Sequence, residues 1–264
     1  DNMTQTVYTH NGKFHADEVF ATAVLKLALG NDIEIVRTRD ITDDILQNHI
    51  VYDVGNSEFD HHAEDNRQHA DGTPMASFGL IWAQFGLTAI KHIKNVENKI
   101  LNRAFEKVED HLVISVDAAD NGVAQDAFSV SNVISDAPTF AEAVDMASMI
   151  LTNRIHKALQ SASDEFMIRE TLVVVNNDTI FLPQTGSWRF LIDEMPNLKF
   201  VIYKNNNEQF NIQTASITRE SNTPRQELST DLQNYPGFIF RHKAGFLAAF
   251  TTKEQALFAL EQTK

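Results

Sequence analysis

Residues 6–30 read TVYTHNGKFHADEVFATAVLKLALG, which predicts a strand followed by a helix. TVYTH (6–10) is a short run with the character of a β-strand. In the segment that follows, from 17 to 30, apolar residues recur at helical spacing, and Gly30 suits the end of a helix. The apolar positions are Val19, Phe20, Ala23, Val24, Leu27 and Ala28.

Strand and helix signals continue to alternate up to residue 55. IEIVRT (33–38) is typical of a strand, DITDDILQNH (40–49) predicts a short helix, and IVYDVG (50–55) is a third apolar run that ends in Gly. The order β-α-β-α-β indicates an α/β fold with a mainly parallel sheet flanked by helices.

The rest of the chain divides into a helical part and a part rich in short strands. Helical segments are predicted near 75–93, 95–110 and 138–168. Short strands are predicted at 171–175, 179–183, 199–203 and 210–216, and residues 237–262 predict two strands and a closing helix. In addition, Thr223-Pro224-Arg225-Gln226 fits a helix start with a capping box. We therefore predict a catalytic domain over 1–168 and a smaller α+β domain over 169–264.

The charge of the chain is concentrated in its first part. The net charge is −14, and residues 1–150 contain 10 Lys and Arg against 24 Asp and Glu, which accounts for all of it. Such an acidic surface argues against broad nucleic-acid binding, which requires basic surface. It is compatible with a carboxylate-rich site that a divalent cation neutralises, although solvated helix faces explain many of these charges.

Composition also bears on the location of the protein. There are no cysteines, which rules out disulfides and thiolate metal sites. No apolar run reaches the roughly 18 residues that a membrane span requires. We expect a cytoplasmic protein without a membrane partner.

Histidines and carboxylates follow the predicted strands at the places where parallel strands end. His10 ends the first strand and Asp53 ends the third. Ligands of parallel α/β sheets bind outside the carboxyl ends of the strands. Further candidates are His15, Asp17, His61, His62, Asp117 and Asp120. A mixture of His and Asp favours Mn²⁺, Fe²⁺, Co²⁺ or Zn²⁺, and the number of carboxylates favours Mn²⁺.

Four stretches together resemble one protein family: THNGKFHADEVFATAVL (9–25), IVYDVGNSEFDHH (50–62), FGLIWAQFG (78–86) and SVDAADNGV (115–123). They are similar to the Myg-type proteins, a family that itself resembles a branch of the DHH phosphoesterases. FIFRHKAGFLAA (238–249) is similar to the C-terminal His-x-x-Gly-Phe signature of the same family. The resemblance covers nearly the whole chain and implies a DHH-like first domain.

The resemblance implies a site for two metal ions. His10 and His15 would favour one ion, Asp17 the other, and Asp53 would bridge both. His61 would be a further ligand, and Asp117 would complete the second ion, with Asp120 as the competing choice. His62 would stay unligated and act on the substrate as a proton donor or phosphate contact, so that the catalytic pair is His62 and Asp53. In the second domain, the residues implied to bind substrate phosphate are Arg241, His242 and Gly245.

The resemblance also implies the reaction. We expect a metal-dependent hydrolase that cleaves phosphodiester bonds of short single-stranded oligonucleotides or small nucleotides, in the manner of an exonuclease, by a two-metal mechanism with Mn²⁺. Mg²⁺, Co²⁺, Fe²⁺ and Zn²⁺ are possible replacements. Two alternatives stay open: a phosphomonoesterase or pyrophosphatase on the same site, and a metal-binding regulatory module with weak catalysis. A homodimer is also left open.

Overall fold

The computed structural model describes residues 4–61 and 67–264. The chain forms two compact units, Asp1–Ala162 and Ser163–Lys264. The assignment of a catalytic domain to 1–168 and a substrate-binding domain to 169–264 stays a prediction. None of the helices in the described ranges is long and apolar enough to cross a membrane.

The first unit is built on a three-stranded parallel sheet. Its strands are β1 (Thr6–Thr9), β2 (Glu34–Arg37) and β3 (Ile50–Val51), in the order β2-β1-β3. Helices α1 (Ala16–Leu29) and α2 (Asp43–Asn48) connect them. The predicted β-α-β-α-β start is confirmed, and because both pairings of β1 are parallel, β1 and β3 end at the same edge of the sheet.

The described part of the first unit after residue 76 is mainly helical. Its helices are α3 (Ser77–Ile93), α4 (Asn98–Val108), α5 (Ile114–Asp120), α6 (Val130–Ser135) and the first part of α7 (Phe140–Thr171). A π-helical turn over Glu109–Val113 joins α4 to α5. The predicted helices near 75–93, 95–110 and 138–168 correspond to α3, α4 and α7. The short helix α6 was not predicted from the sequence.

Helix α1 is buried on nearly all sides. Its small and aliphatic side chains pack closely against α3, and the rings of Phe20 and Phe78 stack with their centroids 5.0 Å apart. Asp17, Glu18 and Thr22 are buried on the same helix. Burying charged groups is costly unless they have partners, so this start of α1 is the place where a polar site is expected.

The second unit contains a six-stranded mixed sheet in the order β4-β5-β6-β7-β9-β8. The strands are β4 (Val173–Asn176), β5 (Thr179–Leu182), β6 (Phe200–Lys204), β7 (Phe210–Thr214), β8 (Phe238–Arg241) and β9 (Leu247–Phe250). Among the described strands of this sheet, only β5 and β6 pair in parallel. Helices α8 (Leu191–Glu194) and α9 (Lys253–Thr263) flank it.

The prediction of a helix start at residues 223–226 was wrong. This segment has no helix, and Pro224 instead forms a β-bridge with Ser216. The Arg225 guanidinium donates hydrogen bonds to the carbonyl oxygens of Ile192 (2.7 Å), Met195 (2.8 Å) and Leu198 (2.8 Å). Because the last carbonyls of a helix have no partner within it, Arg225 stabilises the end of α8.

Replacing Arg225 by Ala removes these three hydrogen bonds, although the Met195 carbonyl still accepts the Leu198 N–H at 3.0 Å. We expect the free energy of unfolding of the second unit to fall by about 2 to 3 kcal/mol, measured by chemical denaturation. Arg219→Ala is the matched control, because the Arg219 side chain forms a surface ion pair with Asp193 at 3.6 Å and the substitution leaves its backbone carbonyl in place. That variant should lose about 0.5 kcal/mol or less. Equal losses in the two variants would contradict the role given to Arg225.

Candidate metal centre

The site begins where β1 and β3 end. His10 follows β1, Asp53 lies two residues after β3, and the His10 Nε2 atom is 3.0 Å from Asp53 Oδ2. Asp53 has a φ of 57°, a left-handed conformation that is uncommon for a residue other than Gly. Its backbone N–H donates to the Phe59 carbonyl at 3.2 Å. The chain therefore turns sharply here and directs the Asp53 carboxylate into the site.

The first turn of α1 contributes Glu18. Its Oε1 atom lies 3.0 Å from His10 Nε2 and accepts the backbone N–H of His15 at 2.8 Å. Its Oε2 atom is buried and has no hydrogen-bond partner among the described residues. A buried carboxylate oxygen without a donor is costly, and a cation at this position would remove the cost.

The same turn of α1 contributes Asp17, which the start of α3 holds in place. The Asp17 oxygens accept the backbone N–H groups of Ser77 (3.2 Å) and Phe78 (2.7 Å). The first N–H groups of a helix lack partners within it and carry partial positive charge, so they favour a carboxylate there. Asp17 is 1% exposed and is fixed by backbone rather than by flexible side chains.

His61 connects these carboxylates to α5. Its Nδ1 atom is 3.3 Å from Asp53 Oδ1 and 4.0 Å from Asp17 Oδ2, and its Nε2 atom is 3.0 Å from Asp120 Oδ2. One imidazole thus contacts residues from three separate parts of the chain: α1, the segment after β3, and α5.

Among the residues that the structure describes, three groups of side chains could each hold a metal ion, since the ligand atoms of each group lie within 4.8 Å of one another. The groups are His10–Glu18–Asp53, Asp17–His61–Asp120 and Asp53–Asp60–His61. Asp53 and His61 each occur in two of them. Imidazole and carboxylate together are ligands that suit first-row divalent metals, and the unpartnered Glu18 oxygen agrees with such an ion.

The pKa values in the site show how unfavourable its buried charge is without a cation. Burial, followed by the carboxylates of Asp120, Asp53 and Asp117, raises the pKa of Asp17 well above its usual value. Hydrogen bonds to Asp53 and Glu18, opposed by burial, raise the pKa of His10 to about 10.

Asp53 differs from Asp17 in the direction of its shift. Burial alone would raise the pKa of Asp53, but its hydrogen bonds with His10 and His61 outweigh burial and lower it. The hydrogen bond of His61 with Asp53, opposed by burial, raises the pKa of the His61 imidazole. The two imidazoles therefore favour the ionised form of Asp53, and Asp53 favours the protonated form of each imidazole.

Two predicted ligands lie outside these groups. His15 is exposed at the start of α1, where it lines a cavity together with Asp17 and Asp120. Asp117 is buried and contacts His69 Nε2 at 2.6 Å, while its other oxygen accepts the Gly79 N–H at 3.1 Å. Of the two acidic residues that the sequence left as alternatives, Asp120 is the one beside His61.

The remaining predicted site residues are His62, Arg241, His242 and Gly245. His62 lies outside the described residues. Arg241 is the last residue of β8, and its guanidinium donates to the Leu228 carbonyl at 2.7 Å, while His242 and Gly245 belong to the turn between β8 and β9. Gly245 has a φ of 73°, and a Cβ there would come within 2.8 Å of Arg241 Nη2. Arg241 therefore has a structural partner inside the second unit.

Glu18 and Asp60 belong to the candidate groups but were not among the predicted ligands, and His69, which pairs with Asp117, was not predicted either. Glu18 stands next to Asp17, and an acidic residue at a helix start is usually only a favourable charge. His69 Nδ1 lies 2.7 Å from Glu109 Oε1, at the first residue of the π-helical turn. The extra residue of a π turn has no sequence signature, so only the structure shows that Glu109 and Asp117 meet the same imidazole.

Fold and site together define an α/β protein with buried histidine and carboxylate groups that could bind metal ions. A model of the MYG1_exonuc family, described as "Uncharacterised protein family (UPF0160)", matches residues 6–173 and 126–262. The chain therefore belongs to this family, as its sequence motifs indicated.

Named relatives agree with this assignment. The chain is 27% identical to human MYG1 exonuclease over an alignment of 312 positions, which covers 94% of this chain and 83% of the relative. It is 27% identical to the MYG1 protein C694.04c of Schizosaccharomyces pombe over an alignment of 314 positions, which covers 97% of this chain and 96% of that relative. It is 34% identical to the MYG1 protein C27H6.8 of Caenorhabditis elegans, but over only 47% of this chain and 41% of that relative. No solved structure matches the chain.

The raised pKa of His10 predicts how metal binding depends on pH. Below pH 6.5, His10 is protonated whether the chain is folded or unfolded. As the pH rises from 6.5 to about 10, only the folded protein keeps this proton, so its stability falls over that window. Metal ions require the unprotonated imidazole. We expect Mn²⁺ to raise the melting temperature more at about pH 8.5 than at about pH 6.5, measured by scanning calorimetry.

The control for this prediction is His10→Asn, which removes the titrating group. Its metal-free stability should vary less between pH 6.5 and 10 than that of the wild type. A wild-type stability that rises with pH over this window would contradict the assignment.

Proposed function

We propose that this chain is a divalent-metal-dependent phosphodiesterase of the exonuclease type, with short single-stranded oligonucleotides or small nucleotides as substrates. The observation that carries the proposal is the pair of adjacent groups, His10–Glu18–Asp53 and Asp17–His61–Asp120, joined by the contact of Asp53 with His61. Relatives named exonuclease support the nuclease assignment over a phosphomonoesterase or pyrophosphatase. We also propose that Asp60-His61-His62 marks membership of the DHH superfamily.

Each proposed ion has its own set of ligands. His10, Glu18 and Asp53 would hold one, and Asp17, His61 and Asp120 the other. Within the second set we propose Asp120 rather than Asp117, because Asp117 already pairs with His69. We propose Mn²⁺ as the metal, since it accepts both carboxylate and imidazole ligands.

When bound, such ions would neutralise charge on the phosphoryl oxygens and lower the pKa of a water molecule. The protein's own residues would hold the ligand carboxylates in position and would transfer a proton to the substrate. Backbone N–H groups of α3 fix Asp17, and the left-handed turn fixes Asp53. We propose that His62 donates a proton to the leaving oxygen, because an imidazole titrates near neutral pH.

The distribution of charge favours a small substrate. Residues 1–150 carry the whole net charge of −14, so the surface around the site offers little attraction to a long polyanion. Metal ions and a few basic groups would then supply most of the attraction for phosphate. In the second unit, we propose that His242 contacts phosphate, while Arg241 and Gly245 maintain the turn that presents it. A cytoplasmic location stays part of the proposal.

Asp53→Asn tests the centre of the proposal. Removing this charge takes a ligand from the first ion and the carboxylate contact of His61 from the second set, so Mn²⁺ binding measured by calorimetry should weaken by at least about tenfold. Mn²⁺-dependent cleavage of a dinucleotide should fall with it, by a factor of at least about 100. Asp40→Asn is the matched control, because Asp40 is an exposed carboxylate of the same unit. Wild-type protein that binds no divalent metal would refute the proposal.

His62→Ala separates catalysis from metal binding. If His62 acts only on the substrate, this variant should bind Mn²⁺ like the wild type, while its turnover number falls by about 100-fold or more. His61→Ala should instead lose metal and activity together. Loss of Mn²⁺ binding in His62→Ala would show that the two neighbouring histidines do not have the separate tasks proposed here.

A further inference from the structure

The first unit contains a cavity of about 230 Å³ beside the candidate metal centre. Two of its lining residues, Asp17 and Asp120, also belong to the Asp17–His61–Asp120 group. A phosphate held by that group would therefore bring the rest of its nucleotide next to this cavity. The volume is below the range of about 300–1,000 Å³ that drug-sized ligands occupy, so the cavity suits a single group of about the size of a nucleoside.

The lining combines apolar and neutral polar side chains, as small-molecule pockets usually do. The apolar residues are Ala16, Val116, Ala119 and Val123, and the neutral polar residues include Gln125, Ser131 and Asn132. The Asn132 side-chain amide donates to the Asp126 carbonyl at 2.7 Å, which holds it in one orientation. Asn and Gln side chains are the amides that pair with the edges of nucleobases.

Ser131 is the residue that indicates a missing partner. It is 9% exposed, and its buried Oγ has no hydrogen-bond partner in the part of the chain that the structure describes. Ser135, one turn further along α6, does not share this property, because its hydroxyl donates to the Ser131 carbonyl at 2.8 Å. A buried hydroxyl without a partner costs free energy, and a ligand with a polar edge would recover it.

Beyond the Asp17–His61–Asp120 group, the lining does not suit a second phosphate. Its described residues include no Lys or Arg, and His15 is the basic side chain among them. A sugar alone would leave the apolar residues without a matching surface, whereas a nucleobase has apolar faces and a polar edge.

We propose that this cavity is a nucleobase subsite, which receives the base of the nucleotide whose phosphate lies at the Asp17–His61–Asp120 group. The inference rests on the proposed function for the identity of the substrate. It adds that the first unit alone recognises one base, through apolar contact with its faces and hydrogen bonds to its edge.

Binding of uncharged nucleosides tests the subsite without any need for catalysis. Adenosine and cytidine, with ribose and inorganic phosphate for comparison, are titrated against the full chain without metal and followed by NMR. The nucleosides should bind, and ribose and phosphate should not. Absence of nucleoside binding, or ribose binding of equal strength, would overturn the proposal.

Two variants locate the binding. Ala119→Leu places a larger side chain in the cavity and should weaken nucleoside binding by about tenfold or more. Ala118→Leu is the matched control, since Ala118 precedes it on α5 but does not line the cavity. Ser131→Ala removes only the unpartnered hydroxyl and should weaken binding by about three- to tenfold, which keeps the test decisive if Ala119→Leu does not fold. If Ser131→Ala bound nucleosides as tightly as the wild type, or if both Leu variants lost the same amount of nucleoside affinity, the base would not bind in this cavity and the proposal would be overturned.

Failure of the subsite and failure of the proposed function are distinguishable. Mn²⁺-dependent cleavage is measured on a normal dinucleotide and on one that lacks the base at its terminal nucleotide. A functional subsite predicts a higher KM for the abasic substrate in the wild type, and no such difference in Ala119→Leu. Equal KM values in the wild type would overturn the subsite while leaving the phosphodiesterase intact. Nucleoside binding without cleavage of either substrate would refute the function alone.

Discussion

The contacts of Asp53 with His10 and His61 are the constraint on which the site depends. Asp53 lies at the edge where two parallel strands end. Its Oδ2 atom contacts the imidazole of His10, and its Oδ1 atom contacts the imidazole of His61. The left-handed backbone at Asp53 directs this carboxylate, and the burial of its surroundings makes each contact stronger than it would be in water. If Asp53 were displaced, the two groups of candidate ligands would lose the residue that joins them.

The density of buried carboxylate explains several other features of the first unit. Asp17 is held by the N–H groups at the start of α3, Asp117 by His69 and Gly79, and Glu18 by His10 and the backbone of His15. Each carboxylate has a donor, but Glu18 keeps one oxygen without any partner among the described residues. Backbone donors and imidazoles thus satisfy most of this charge, and a divalent cation would supply the rest.

Much of this arrangement could be predicted from the sequence, and the exceptions have physical causes. The apolar periodicity from 6 to 55 predicted the parallel sheet, and the strand ends placed His10 and Asp53 on one edge. The role of Glu18 was hidden, because an acidic residue at a helix start is usually only a favourable surface charge. Asp117 and Asp120 both lie on α5, directly after the π turn. Because the π turn changes which face of α5 points towards His61, sequence spacing alone does not determine which of the two residues lies beside it. The helix start predicted at residues 223–226 was wrong, because Arg225 forms tertiary hydrogen bonds to the end of α8 and the local capping pattern does not form a helix.

The central claim is that Asp53 joins two sites for divalent ions. The most direct measurement is anomalous diffraction at the manganese edge from crystals grown with Mn²⁺. Our account predicts two anomalous peaks, one beside His10, Glu18 and Asp53 and one beside Asp17, His61 and Asp120. Crystals that bind Mn²⁺ elsewhere, or that show no peak next to Asp53, would contradict it.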